Sequence, residues 1–159
     1  MNKINKSLLL FTVTVILLFV VATAYASTPN QGSGNFNLIA EPIINSLRQA
    51  NGNMFINQTL VFEYDGTMIG ESIADVTCLA KPTGQTVCHG REVFTGSVEG
   101  KSGTFVFQVS VKIDETGQIK GQWIILKGTS ELANLKGGGT VAGTTASGTY
   151  TLNFHFDPY

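Results

Sequence analysis

Residues 103–113, GTFVFQVSVKI, alternate with a period of two. Phe105, Phe107, Val109, Val111 and Ile113 fall on one face of an extended chain, and Thr104, Gln108, Ser110 and Lys112 on the other. Successive side chains point to opposite sides only in a strand, whereas a helix brings residues to one face every three or four positions. The stretch GTYTLNFHF at 148–156 repeats the pattern, with Tyr150, Leu152, Phe154 and Phe156 on one side and Thr149, Thr151, Asn153 and His155 on the other. Both runs read as strands with one face in a core and the other in water.

The same period extends over most of the chain. Further strands are expected at 36–41, 53–64, 67–80, 85–97, 118–127 and 138–146. Turn residues stand between them: Asp65-Gly66, Pro82-Thr83-Gly84, Glu99-Gly100-Lys101, Glu115-Thr116-Gly117 and Ser147-Gly148. The single helical candidate is PIINSLRQA at 42–50, enough for one or two turns. About eight strands with short connections predict an all-β fold, an antiparallel up-and-down barrel or a sandwich.

The N-terminal segment has a different character. Lys3 and Lys6 precede an almost wholly apolar run that ends in Ala24-Tyr25-Ala26. A basic start, an apolar middle and an A-x-A site describe a signal peptide over 1–26, with an N-terminal membrane anchor as the alternative. Residues 27–35 read as a flexible polar leader and 36–159 as a single domain. A secreted or periplasmic location is expected. Beyond Lys6 the chain carries eight Lys and Arg against eleven Asp and Glu with no basic block, so neither nucleic acid nor an anionic membrane surface has an electrostatic footprint.

One stretch fits neither helix nor plain loop. In KGTSELANLKGGG, 127–139, Leu132 and Leu135 are fenced by Gly128 on one side and Gly137, Gly138 and Gly139 on the other. Interior glycines disfavour a helix by about 1 kcal/mol each relative to Ala. In a small closed barrel, glycines allow strands to bend at corners, and the two leucines would plug one end. A phosphate-binding loop is a poor fit, because no Gly-Lys-Ser/Thr follows a strand.

These motifs also carry a resemblance. Gly96-x-x-x-Gly100-x-x-Gly103-Thr104-Phe105, then Gly121-x-Trp123, then Gly128-Thr129-x-x-Leu132-x-x-Leu135-x-Gly137 resemble small bacterial proteins of unassigned function with an allene-oxide-cyclase-like barrel. The likeness covers roughly residues 60–157. A similar Gly-Thr-Gly-x-Phe-x-x-x-x-Gly turn occurs in plant dirigent proteins and allene oxide cyclases; here Ser130 stands for the second Gly and Leu132 for the Phe. The resemblance implies a barrel of about eight strands and, from the cyclases, cofactor-free cyclisation in an apolar interior aided by a glutamate and bound water. None of their functional residues is carried over to a position here.

Cys78 and Cys88 are symmetric about the Pro82-Thr83-Gly84 turn. A hairpin folded there sets them opposite one another, and an exported chain makes them a disulfide. The same register places Asp75 opposite Arg91, a candidate cross-strand ion pair. The two histidines, His89 and His155, are too few for a zinc site, no metal or cofactor is expected, and no Gly-x-Ser-x-Gly marks a serine hydrolase. Glu63, Glu71 and Glu92 fall within strands. A carboxyl facing an apolar interior would have a raised pKa and could steer a proton. Glu71 and Glu92 are the catalytic candidates; the register puts them on opposite faces, so at most one points inward. Phe105, Phe107, Trp123, Tyr150, Leu152 and Phe154 are expected to line or fill the interior. Two readings remain: a barrel binding a small apolar molecule, as carrier or as cofactor-free isomerase or cyclase, and a non-catalytic protein acting through surface contacts or as a homo-oligomer. A polar group oriented within the interior separates catalyst from carrier.

Overall fold

The computed structural model describes residues 28–158; the segment expected to be a signal peptide lies outside them. Nine strands follow in order: β1 (Asn30–Leu38), β2 (Ile43–Ala50), β3 (Asn53–Gly66), β4 (Met68–Ala80), β5 (Thr86–Val98), β6 (Lys101–Ile113), β7 (Gln118–Gly128), β8 (Leu135–Thr144) and β9 (Ser147–Phe156). All the pairings are antiparallel. β3 to β9 form a meander, and β1 lies between β9 and β3, closing eight strands into a barrel. β2 stays outside the ring as an edge strand on β3.

Two expectations are corrected. Asn30 to Asn35, read as flexible leader, belong to β1 and carry the closure, pairing with β9 on one side and with the end of β3 on the other. Composition misled here, because glycine serves close approach as well as mobility. At Gly34 a Cβ would collide with the Asp65 carbonyl oxygen and the Tyr150 ring. The second correction concerns 42–50, which forms β2 rather than a helical turn. Asn51 and Gly52, both at positive φ (51° and 75°), make the two-residue turn that returns β2 onto β3. Asn-Gly is the preferred pair for a hairpin turn whose twist matches the strands, and this local signal outweighs the helix-compatible spacing of Ile44 and Leu47.

The barrel has two unlike ends. At one end Met68, Phe94, Phe105, Leu152 and Phe154 pack with Leu132 and Leu135, both fully buried. The glycine-fenced stretch makes a one-turn 3-10 helix, Ser130–Leu132, and re-enters the sheet as β8. Gly128 is needed because a Cβ there would meet the Leu132 carbonyl. Thr129 ties the turn down: its N–H donates to the Thr104 carbonyl at 2.8 Å, and the two hydroxyls lie 2.6 Å apart. Tyr150 clasps the same end, its hydroxyl donating to the Asp65 carbonyl at 2.9 Å and accepting from the Met68 N–H at 2.7 Å.

The other end holds the disulfide. Cys78 and Cys88 lie opposite each other and are bonded, with Cα atoms 4.0 Å apart. The β4–β5 register is the one the turn symmetry requires, so Asp75 also faces Arg91. Their expected ion pair does not form: Asp75 accepts a hydrogen bond of 2.7 Å from Thr59 on β3 instead. Both side chains are exposed, and in water a nearby hydroxyl competes well with a surface charge pair.

Candidate functional site

Between the packed end and the disulfide end the interior is not filled. A cavity of about 340 Å³ remains, walled by side chains such as Leu38, Phe62, Val76, Val109, Val111 and Ile119. The volume lies at the small end of the roughly 300–1,000 Å³ typical of ligand pockets. Gln58 and Thr145 are polar lining residues, half-buried and exposed respectively. Deeper in, one carboxyl enters the lining.

That group is Glu92. Strand alternation turns it inward from β5, in phase with Cys88 and Phe94, and it is only 3% exposed. Ser72, 2% exposed, comes from β4 and Tyr64 from β3, so three adjacent strands each bring a polar side chain to the inner face at this depth. The Tyr64 hydroxyl donates to Oε1 of Glu92 at 2.6 Å, and the Ser72 hydroxyl donates to the same oxygen. Oε2 has no hydrogen-bond partner among the described residues, and Glu92 lines the cavity.

Burial sets the electrostatics. Loss of hydration pushes the Glu92 carboxyl up to about 7, and the two hydroxyl donors hold it back from rising further. Burial, with the Glu92 charge beside it, also drives the Tyr64 phenol well above its ordinary value, so Tyr64 stays a proton donor across neutral pH. A carboxyl that gains and loses its proton near neutrality can act as general acid or base. No cluster of three or more metal-binding side chains occurs among the described residues.

The structure distributes the sequence candidates unevenly. Glu92 is at the floor of the cavity, while Glu71 is on the outer surface opposite Glu63 and does not reach the interior. Of the six apolar candidates, Phe107 lines the cavity. Phe105, Tyr150, Leu152 and Phe154 are buried in the packed end, and the Tyr150 hydroxyl is committed to backbone. Trp123 stands beside Phe107, ring centres 5.1 Å apart, its indole N–H without a partner among the described residues. An unbroken series of rings, Tyr150, Tyr64, Phe94, Phe105, Phe107 and Trp123, joins packed end to cavity at centre distances of 4.9 to 5.9 Å.

Sequence reasoning missed Tyr64 and Ser72. Ser72 carries a signal, a hydroxyl on the inner face of a strand otherwise lined by Met68, Gly70, Ala74, Val76 and Cys78. Tyr64 carries none by itself, since a tyrosine in phase with Leu60 and Phe62 reads as core.

No curated protein matches the chain significantly. Among solved structures, the barrel superposes on a crystal structure of a protein of unknown function from Shewanella oneidensis MR-1, a member of the DUF3224 family, with a TM-score of 0.71 and 19% identity, covering 82% of this chain and 99% of that one. At that identity the likeness speaks for the fold. Residues 32–156, from within β1 to the last residue of β9, match the sequence profile described as "Protein of unknown function (DUF3224)", and the chain belongs to that family.

Proposed function

We propose that this protein is an exported barrel that binds one small apolar molecule in the cavity above Glu92. The carrying observation is the unfilled, apolar interior with a single buried carboxyl at its floor. Cores normally pack at crystal-like density, so an opening of this size needs an occupant or a purpose. Export is supported by the Cys78–Cys88 bridge, which persists in oxidising compartments, and by the charged-apolar-AYA start of the sequence. Glu92 also supports a cofactor-free isomerase or cyclase, since it could relay a proton to a bound molecule. The sequence resemblance to allene-oxide-cyclase-like barrels points the same way.

The test is binding of the uncharged dye N-phenyl-1-naphthylamine, followed by its fluorescence. The native barrel should enhance the emission, and Val76→Trp, which fills the cavity from β4, should abolish the enhancement. Absence of enhancement by the native protein would sink the reading.

A second reading rests on the outer surface. Val61, Ile73, Val93 and Val106 stand opposite one another across β3 to β6, forming an apolar row in which Ile73 and Val93 are exposed. Such a row supports action through contacts, including a homo-oligomer. Sedimentation velocity distinguishes it: a dimer dispersed by Ile73→Lys, with no dye binding, would favour the surface reading.

A further inference from the structure

The geometry points to a ligand that is uncharged, apolar along its length, and tipped by an oxygen acceptor, a ketone or ester carbonyl, that takes a hydrogen bond from Oε2 of Glu92. The inference rests on the cavity-binding reading and names the ligand chemistry for that site.

Three observations carry it. First, Tyr64 and Ser72 both donate to Oε1. A carboxyl oxygen has two lone pairs for hydrogen bonds, so Oε1 is fully engaged as an acceptor. In the neutral acid the proton therefore sits on Oε2. Second, Oε2 has no partner in the described residues and its side chain borders the cavity. Glu92 thus presents one O–H donor to whatever occupies the space. An occupant ending in a methyl group would leave that donor unpaired in an apolar site, which is unfavourable; an occupant with a carbonyl oxygen pairs it.

Third, the lining contains no Lys, Arg, His or Asp. A carboxylate-headed ligand, such as a fatty acid anion, would bring a charge with no countercharge next to an acid that itself ionises near neutrality. An ammonium head would find one free carboxylate oxygen at that depth and would leave part of its three N–H donors unpaired. A neutral acceptor meets neither obstacle. The side chains that meet Glu92 from the neighbouring strands include one titratable group, Tyr64 on β3, whose phenol is pushed upward; β4 offers Ser72 and Ala74, and β6 sets Phe107 directly opposite.

Four probes of one chain length test the assignment: 2-decanone, decane, decanoate and decylamine, titrated into the native, oxidised protein. The readout is the emission of Trp123, the sole tryptophan, which lies against Phe107 of the cavity wall. A hydrogen bond of ordinary strength should make 2-decanone bind about tenfold more tightly than decane at about pH 5.5. That preference should vanish by about pH 8.5, once Glu92 has lost its proton. Glu92→Gln presents an amide N–H in place of the acid O–H, so it should keep the ketone preference at both pH values. Equal binding of ketone and decane would overturn the inference while leaving the cavity reading intact. Tighter binding of decanoate or decylamine than of ketone would also overturn it, as would a pH dependence that survives in Glu92→Gln. If no probe binds, decane included, the cavity reading itself fails and the inference with it.

Discussion

Glu92 exchanges water for two hydroxyl donors, and the exchange is incomplete: burial lifts its pKa from 4.5 to about 7. The native state then holds the proton more tightly than the unfolded chain. The stability this group contributes is therefore full below about pH 4.5 and is lost as pH rises through 7, by about 3 kcal/mol in all. Urea unfolding at intervals across that range should show the decline in the native protein and not in Glu92→Gln. Tyr64→Phe removes a donor that favours the ionised form. Its carboxyl midpoint, read from the carbon NMR signal of Glu92, should move upward from the native value. A downward shift would mean that Tyr64 acts on Glu92 other than as a hydrogen-bond donor. Glu71, next to Ser72 in the chain yet exposed on the outer face, should tolerate Gln with stability changes within about 0.5 kcal/mol.

At the scale of elements, the turn at 128–135 closes the packed end because backbone and side chains fit together without slack. Gly128→Ala drives a Cβ into the Leu132 carbonyl, a backbone atom that cannot swing aside. We expect a loss of at least about 2 kcal/mol in urea unfolding, comparable with the roughly 2–5 kcal/mol expected for Leu132→Ala, which empties a fully buried site. A near-neutral Gly128→Ala would show that the turn yields and does not fix the end of the barrel. β2 behaves differently. Nearly every side chain on it is exposed, including Ile43, Ile44 and Leu47, and its hydrogen bonds go to β3 alone. A strand held on one edge with little burial opens easily.

Across the whole molecule, order should fall from the packed end to the cavity. Amides of β5 and β9 near Phe94 and Leu152, both fully buried, should exchange only on global unfolding, and those of β2 should exchange first. The Cys78–Cys88 bridge counters fraying where the interior is hollow. Replacing both cysteines with Ala should lower stability by about 2–3 kcal/mol for a loop of this length. The effect on exchange should be concentrated in the facing ends of β4 and β5. A uniform increase in exchange would instead mark the bridge as a support of the whole barrel.

The alternation in GTFVFQVSVKI and GTYTLNFHF determined the strand class and the inward residues, because a period of two permits one assignment of faces. Symmetry about Pro82-Thr83-Gly84 likewise determined the β4–β5 register and the cysteine pairing, since a hairpin register follows from its turn. These are local properties, settled by residues a few positions apart. The closure of β1 onto β3 was not legible, because Gly32 and Gly34 read the same in a loose leader as in a tight seam. Nor was the meeting of Tyr64, Ser72 and Glu92 on one oxygen, which depends on how three strands are offset in the twisted wall. Nor could the buried Phe105, Leu152 and Phe154 be told from cavity-lining residues, since a strand pattern gives the face of a side chain and not its height in the barrel. Only the tertiary structure decided which inward residues fill space and which enclose it, because the Leu132–Leu135 plug occupies one end while the cavity reaches Cys88 of the disulfide at the other.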